Sequence, residues 1–189
     1  MGEPGALYAA QAGVMSLDHA VQLSPETMQI MRAKGIPAVP TFTIVQYFAE
    51  HGPAGERAFM QKFLDYKIQQ FHKQIAAGIS FAAGSDVGPF PHGTQGEEYV
   101  LLVKYGLTPL RAIQAGTLEG ARLLEASDSL GQLAPGFDAD IIGVPGNPLQ
   151  DISVLQHVRF VMKAGKIYRL PSQPDWLTTY WKMWFNQPE

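Results

Sequence analysis

The sequence contains no cysteine among its 189 residues, which excludes disulfides and thiolate metal ligands. Any metal would have to be held by histidine and carboxylates, and only five histidines are available. No stretch approaches the roughly 18 consecutive apolar residues of a membrane span. Charge is sparse: 16% of residues are charged, the net charge is −3, and there is no long basic or acidic run. That balance carries no electrostatic footprint for nucleic acid. The opening MGEPGALYAAQAGV lacks a basic segment followed by a long apolar run, so no signal peptide is read there. The compartment is left open, with the cytoplasm slightly favoured, because the start of a late piece of a longer chain would say nothing about targeting. No internal repeat is found.

With 46% apolar residues the chain can bury the core of one ordinary domain. Gly5–Ala12 reads as the end of a helix stopped by Gly13. Val14–His19 is a short strand candidate. Ser24, Pro25 and Glu26 form a helix start, with a capping hydroxyl, a proline at the first helical position and an acid near the positive end of the dipole. That helix is expected to run to Lys34 and stop at Gly35. Ile36–Thr43 is a second strand candidate interrupted by two prolines. Pro53–Ala77 is a long amphipathic helix, with Phe59, Phe63, Tyr66, Phe71 and Ile75 at helical spacing. Ile79–Ala83 is a third strand candidate, followed by a Gly- and Pro-rich loop over 84–96 and helices expected over 97–105, from Thr108-Pro109 to Gly116, and from a Thr117 cap to Ala126. The alternation predicts an α/β fold of parallel strands with helical crossovers, ending at His19, Thr43 and Asp86.

The texture changes near Ser127. Asp140–Val144, Val158–Lys163 and Lys166–Arg169 are strand candidates, the last two joined as a hairpin by Ala164-Gly165. Three units are therefore expected: residues 1–126 as a crossover region, 127–170 as a small β region, and 171–189 as a tail with a short docking helix.

His19 closes the first strand in SLDHA and Asp86 follows the third in AAGSDVG. In a parallel barrel, functional groups gather at those strand ends. Histidine is a good neutral ligand for zinc-like metals, and an Asp beside glycines can approach a metal or take a proton from water. Taken singly, each has a bland alternative: a hydrogen-bonded structural histidine, and a turn or cap aspartate. His92 and Glu97 either line a substrate pocket or belong to a solvated loop. His51 and His72 are expected to face solvent, and His157 to be structural. Asp138 and Asp140 look like a catalytic pair but read better as turn residues. The tail aromatics read as packing, with a partner surface as the alternative.

The order SLDHA, a Pro-rich second strand, AAGSDVG, GLTPLRAIQAGTLEGARLL, LGQLAPGFDADIIGV, NPLQDISVL and VRFVMKAGKI resembles the amidohydrolase superfamily over residues 6–169. The resemblance is to its imidazolonepropionase and Xaa-Pro dipeptidase-like branch. It implies a (β/α)8 TIM barrel with a small β-sandwich, of which this chain would hold the last three barrel strands and part of the sandwich. It implies His19 as ligand of the more exposed metal, and Asp86 as ligand of the other and general acid/base. Asp18-His19-Ala20 stands where Glu-His-Gly is common. The family's strand-one His-x-His, bridging strand-four lysine and strand-five histidine have no counterpart, and a whole barrel needs about 250 residues.

Two readings follow. In one, the chain is the C-terminal fragment of a metal-dependent hydrolase of amide, cyclic amide or dipeptide C–N bonds, inactive alone. Its cofactor would be a divalent metal, zinc first, and its partners a small-molecule substrate and an N-terminal-half chain or a second copy. In the other, it is a non-catalytic subunit or interaction module that keeps the fold signature. No nucleic-acid or membrane partner is expected.

Overall fold

Local signals set the first crossover. In the computed structural model, which describes residues 2–170, α1 (Gly5–Ala12) closes at Gly13 with φ 80°. After β1 (Leu17–Asp18) comes α2 (Pro25–Lys34). Its Ser24 cap accepts a hydrogen bond from Thr27 N at 3.1 Å. Gly35 ends it in the left-handed region, where a side chain would be strained (φ 66°). β2 (Ala38–Val39) then lies parallel to β1, with Leu17 opposite Ala38 and Asp18 opposite Val39. Ala38 also bridges in parallel to Phe81, held by Ala38 N to Ser80 O and Ala82 N to Ala38 O, both 3.0 Å. The order is therefore β1, β2 and the Phe81 segment, side by side and parallel.

The ordered strands are shorter than Val14–His19, Ile36–Thr43 and Ile79–Ala83. β2 is bracketed by Pro37 and Pro40, which have no N–H to give a ladder. It does not reach Thr43. Instead α3 (Phe42–His51) begins directly after Thr41, a helix the sequence disguises. Phe42, Thr43, Ile44 and Val45 are aromatic and β-branched, residues that favour strands. The helix wins because Phe42 and Val45 are buried and because a distant carboxylate, Glu98, takes its first free amides.

α4 (Ala54–Ala76) corrects the sequence-derived face. Phe59 is 68% exposed and Tyr66 38%. The buried stripe is Leu64, Lys67, Gln70, Phe71 and Gln74, three of them polar. Phe71 packs edge-on against Phe42 (centroids 5.0 Å) and Phe81 (4.8 Å), and Phe42 meets Tyr105 at 4.8 Å. This aromatic chain ties α4 and α3 to the Phe81 segment and joins Leu17, Met31, Ile79, Leu101 and Leu102 in one core.

α5 (Glu97–Lys104), α6 (Pro109–Gly116) and α7 (Leu118–Leu123) follow. Thr108 caps α6 through Arg111 N at 3.3 Å. Thr117 does not cap α7: its hydroxyl donates back to Ile113 O at 2.9 Å, one helical turn earlier. β3 (Ile141–Gly143), β4 (Phe160–Lys163) and β5 (Lys166–Arg169) form an antiparallel sheet in that order. Asp140 serves its hairpin, accepting from Ala164 N at 2.7 Å and Lys163 Nζ at 3.1 Å. A 3-10 turn over Ile152–Gln156 packs on α5 and sends Ile152 into the main core. Among the described residues no helix is long and apolar enough to cross a membrane. The expected docking helix in the tail lies outside the described residues.

Candidate active site

Three segments leave the parallel strands at the same end, and each turns through a left-handed residue that is not glycine. His19 has φ 64° and its neighbour Ala20 φ 38°; Thr41 has φ 53° and Asp86 φ 54°. Such residues carry strain of order 1 kcal/mol each and concentrate where geometry serves function. The His19 backbone is fixed by its amide, which donates to Val39 O at 2.8 Å. Gly84 lets the Asp86 segment approach β2, since a Cβ there would stand 2.6 Å from Val39 Cγ1.

These turns bring the His19 Nε2 and Asp86 Oδ2 atoms to 4.0 Å, with side chains 45% and 51% exposed. The other ring nitrogen, Nδ1, lies 2.8 Å from the Thr41 hydroxyl oxygen. Two donors on one ion stand no more than about 4.4 Å apart when each bond is about 2.2 Å long, so the gap is within bridging range. An imidazole and a carboxylate also suit zinc-like cations. The count is short, however: among the described residues no group of three or more histidine, aspartate or glutamate side chains could hold a metal ion.

Behind this pair lies a buried polar layer. Lys67 is 3% exposed and donates to the Thr41 carbonyl at 3.3 Å. Burial pulls its pKa down to about 8, opposed by the negative charges of Glu98 and Asp86. Glu98 is 1% exposed and accepts from Phe42 N at 2.9 Å, Thr43 N at 2.8 Å and the Thr43 hydroxyl at 2.6 Å. Burial pushes its carboxyl above the usual range, against the pull of those bonds and of Lys67.

A separate cleft of about 470 Å³ opens between α3, the loop over 88–96 and α5, lined by Tyr47, Glu50, His51, Phe90, Glu97 and Gln156 among others. Burial, then the charge of Glu50, raises the Glu97 pKa, while Lys104 and a hydrogen bond from Gln156 lower it. His92 is exposed between Pro91 and Gly93, which line the cleft; neither His19 nor Asp86 does. The structure thus brings His19 and Asp86 together and sets Glu97 in a different place. His51, His72 and His157 are exposed. Sequence reasoning passed over Thr41, Lys67, Gln74 and Glu98. Lys67 and Gln74 fall seven residues apart on the stripe of Leu64 and Phe71, a signal outweighed by the more conspicuous aromatics; Glu98 reads as an ordinary acid in a helix's first turn.

Parallel strands joined by helical crossovers, with a histidine and an aspartate side by side at their outgoing ends, define an α/β protein with a candidate active site. The model of the amidohydrolase family matches residues 4–168, and the chain belongs to that family. It is 32% identical to ochratoxinase of Aspergillus niger over 183 residues, covering 93% of this chain and 38% of that protein. It is 26% identical to imidazolonepropionase of Shouchella clausii over 169 residues, covering 86% and 34%. A crystal structure of a Xaa-Pro dipeptidase with methionine bound in its active site superposes with TM-score 0.79 and 35% identity, covering 87% of this chain and 42% of that one. The A. niger ochratoxinase structure gives TM-score 0.78, covering 90% and 40%. The chain therefore spans about two-fifths of the length of these relatives.

Proposed function

We propose that this chain is the C-terminal part of a metal-dependent amidohydrolase that cleaves C–N bonds in a dipeptide, cyclic amide or acyl-amino acid. On this reading β1, β2 and the Phe81 segment are the sixth, seventh and eighth strands of a (β/α)8 barrel, and β3–β5 belong to a small sandwich. The observation that carries it is the 4.0 Å approach of His19 Nε2 and Asp86 Oδ2 at one end of the parallel array. A divalent cation, zinc first, would when bound polarise the scissile carbonyl and acidify a water. His19, through Nε2, and Asp86 would hold it. Asp86 would take the water proton on its carboxylate and pass it to the leaving nitrogen. His92 would contact substrate from the loop after the third strand. The same groups would serve lactone or phosphotriester hydrolysis, so the substrate test must span those classes.

A catalytic zinc site takes three protein ligands, and the described residues bring two, which supports a chain inactive alone whose remaining donors come from a segment outside it. The same shortfall favours the second reading, a non-catalytic subunit. The experiment is to assay the purified chain with zinc, cobalt or manganese against dipeptides, acyl-amino acids, lactones and phosphotriesters. No turnover is expected from the chain alone, and turnover on adding an N-terminal-half chain. Metal-dependent turnover by the chain itself, abolished in both His19→Ala and Asp86→Asn, would overturn the fragment reading. No turnover under complementation would leave the subunit reading.

A further inference from the structure

Two side chains from the buried stripe of α4 reach the backbone at the ends of two different strands. Lys67 Nζ donates to the Thr41 carbonyl at 3.3 Å and lies 3.5 Å from the Thr41 hydroxyl oxygen. Seven residues on, Gln74 Nε2 donates to the Ala20 carbonyl at 2.6 Å. Both side chains are nearly enclosed, 3% and 4% exposed. Their targets are left-handed residues, Thr41 at φ 53° and Ala20 at φ 38°. One helix face thus pins the strained turns beside His19 and beneath its imidazole.

The Thr41 hydroxyl has a single hydrogen, and it goes to the Pro40 carbonyl at 2.7 Å. Towards His19 the oxygen can then only accept. With the hydroxyl hydrogen turned to Pro40, the 2.8 Å contact with His19 is donated by Nδ1–H. A neutral imidazole protonated at Nδ1 carries its free lone pair on Nε2, the atom that faces Asp86 at 4.0 Å. We propose that Thr41, Lys67 and Gln74 are positioning residues that hold the His19 imidazole as its Nδ1–H tautomer, with an unprotonated Nε2 aimed at Asp86. The purpose of this arrangement rests on the ligand role proposed for His19. The arrangement itself needs no metal.

The test reads the ring directly. Two-bond nitrogen–proton correlation spectra of chain labelled with 15N-histidine distinguish the two tautomers, recorded metal-free and well above the ordinary histidine pKa. The His19 signals are assigned by their loss in His19→Asn. The expected result is an Nδ1–H ring in the unaltered chain. Thr41→Val, nearly isosteric, should move it mainly to Nε2–H, and Thr41→Ser should restore it. Lys67→Met and Gln74→Met, checked for cooperative melting, should each lower the Nδ1–H fraction. An Nε2–H ring in the unaltered chain, or no change in Thr41→Val, overturns the proposal. So do folded α4 variants with the unaltered spectrum, or loss of fold in both, which would make α4's role purely structural. Excess zinc added to the same samples together with the complementing N-terminal-half chain separates the two ideas. An Nδ1–H ring that zinc leaves unmoved supports the clamp while removing the metal role.

Discussion

The start of α3 shows how much one side chain can decide. The first amides of a helix have no acceptor within it. Those of Phe42 and Thr43 are taken by Glu98, which also receives the Thr43 hydroxyl. Replacing Glu98 with alanine leaves three buried donors without a partner. Each costs about 1 kcal/mol or more, so Glu98→Ala is expected to lose about 3 kcal/mol of stability in urea unfolding. Glu98→Gln keeps one acceptor oxygen and should lose less. A loss below about 0.5 kcal/mol in Glu98→Ala would mean that water replaces the cap at little cost. The second strand forms but stops short of Thr43, and the sequence did not show it because the deciding residue is more than fifty positions away in the chain. At α2 the cap is Ser24 and the stop is Gly35, both local, and that helix was legible residue by residue.

Among the elements, α4 carries the largest difference between pattern and fold. Its existence was plain from length and its closing glycine, but its inward face was not, because the groups it must satisfy are carbonyls on other segments. The polar stripe gives it a pH signature. The Lys67 pKa falls from 10.5 to about 8 in the fold, through burial first. Between those values the unfolded chain holds the proton and the folded chain has released it, so stability rises with pH. From about pH 8 to 10 the gain is expected to be ~2 kcal/mol. Tyr105, whose pKa burial raises to about 12, works in the opposite direction above the ordinary tyrosine range. The measurement is therefore a difference: urea midpoints of the unaltered chain and Lys67→Met across this window. The difference between them should change by that amount, and parallel curves would show that Lys67 does not titrate with a depressed pKa.

For the molecule as a whole, the candidate site was half legible. His19 and Asp86 sit where strands end, and motif order points to them. Thr41, Lys67 and Gln74 matter only once two crossovers have been folded, and no local spacing reveals that. Among the described residues the sheet also has an open side. Leu17 and His19 donate towards β2, to Pro37 O at 3.0 Å and Val39 O at 2.8 Å. The alternation of a parallel ladder then turns the Asp18 amide the other way. In the chain alone that amide is expected to exchange quickly with solvent, and to become protected when a complementing chain pairs along β1. Rapid exchange that persists in an active complex would show that β1 is not the joining edge. The α4 contacts to Thr41 and Ala20 lie wholly within this chain, which bears on how such a complex would form. On the proposed split-enzyme reading this side of the site is built in advance, so completion would not wait on this chain folding upon the other. The observed rate of assembly should then climb in proportion to the concentration of the added chain, with no plateau set by a slow rearrangement on this side.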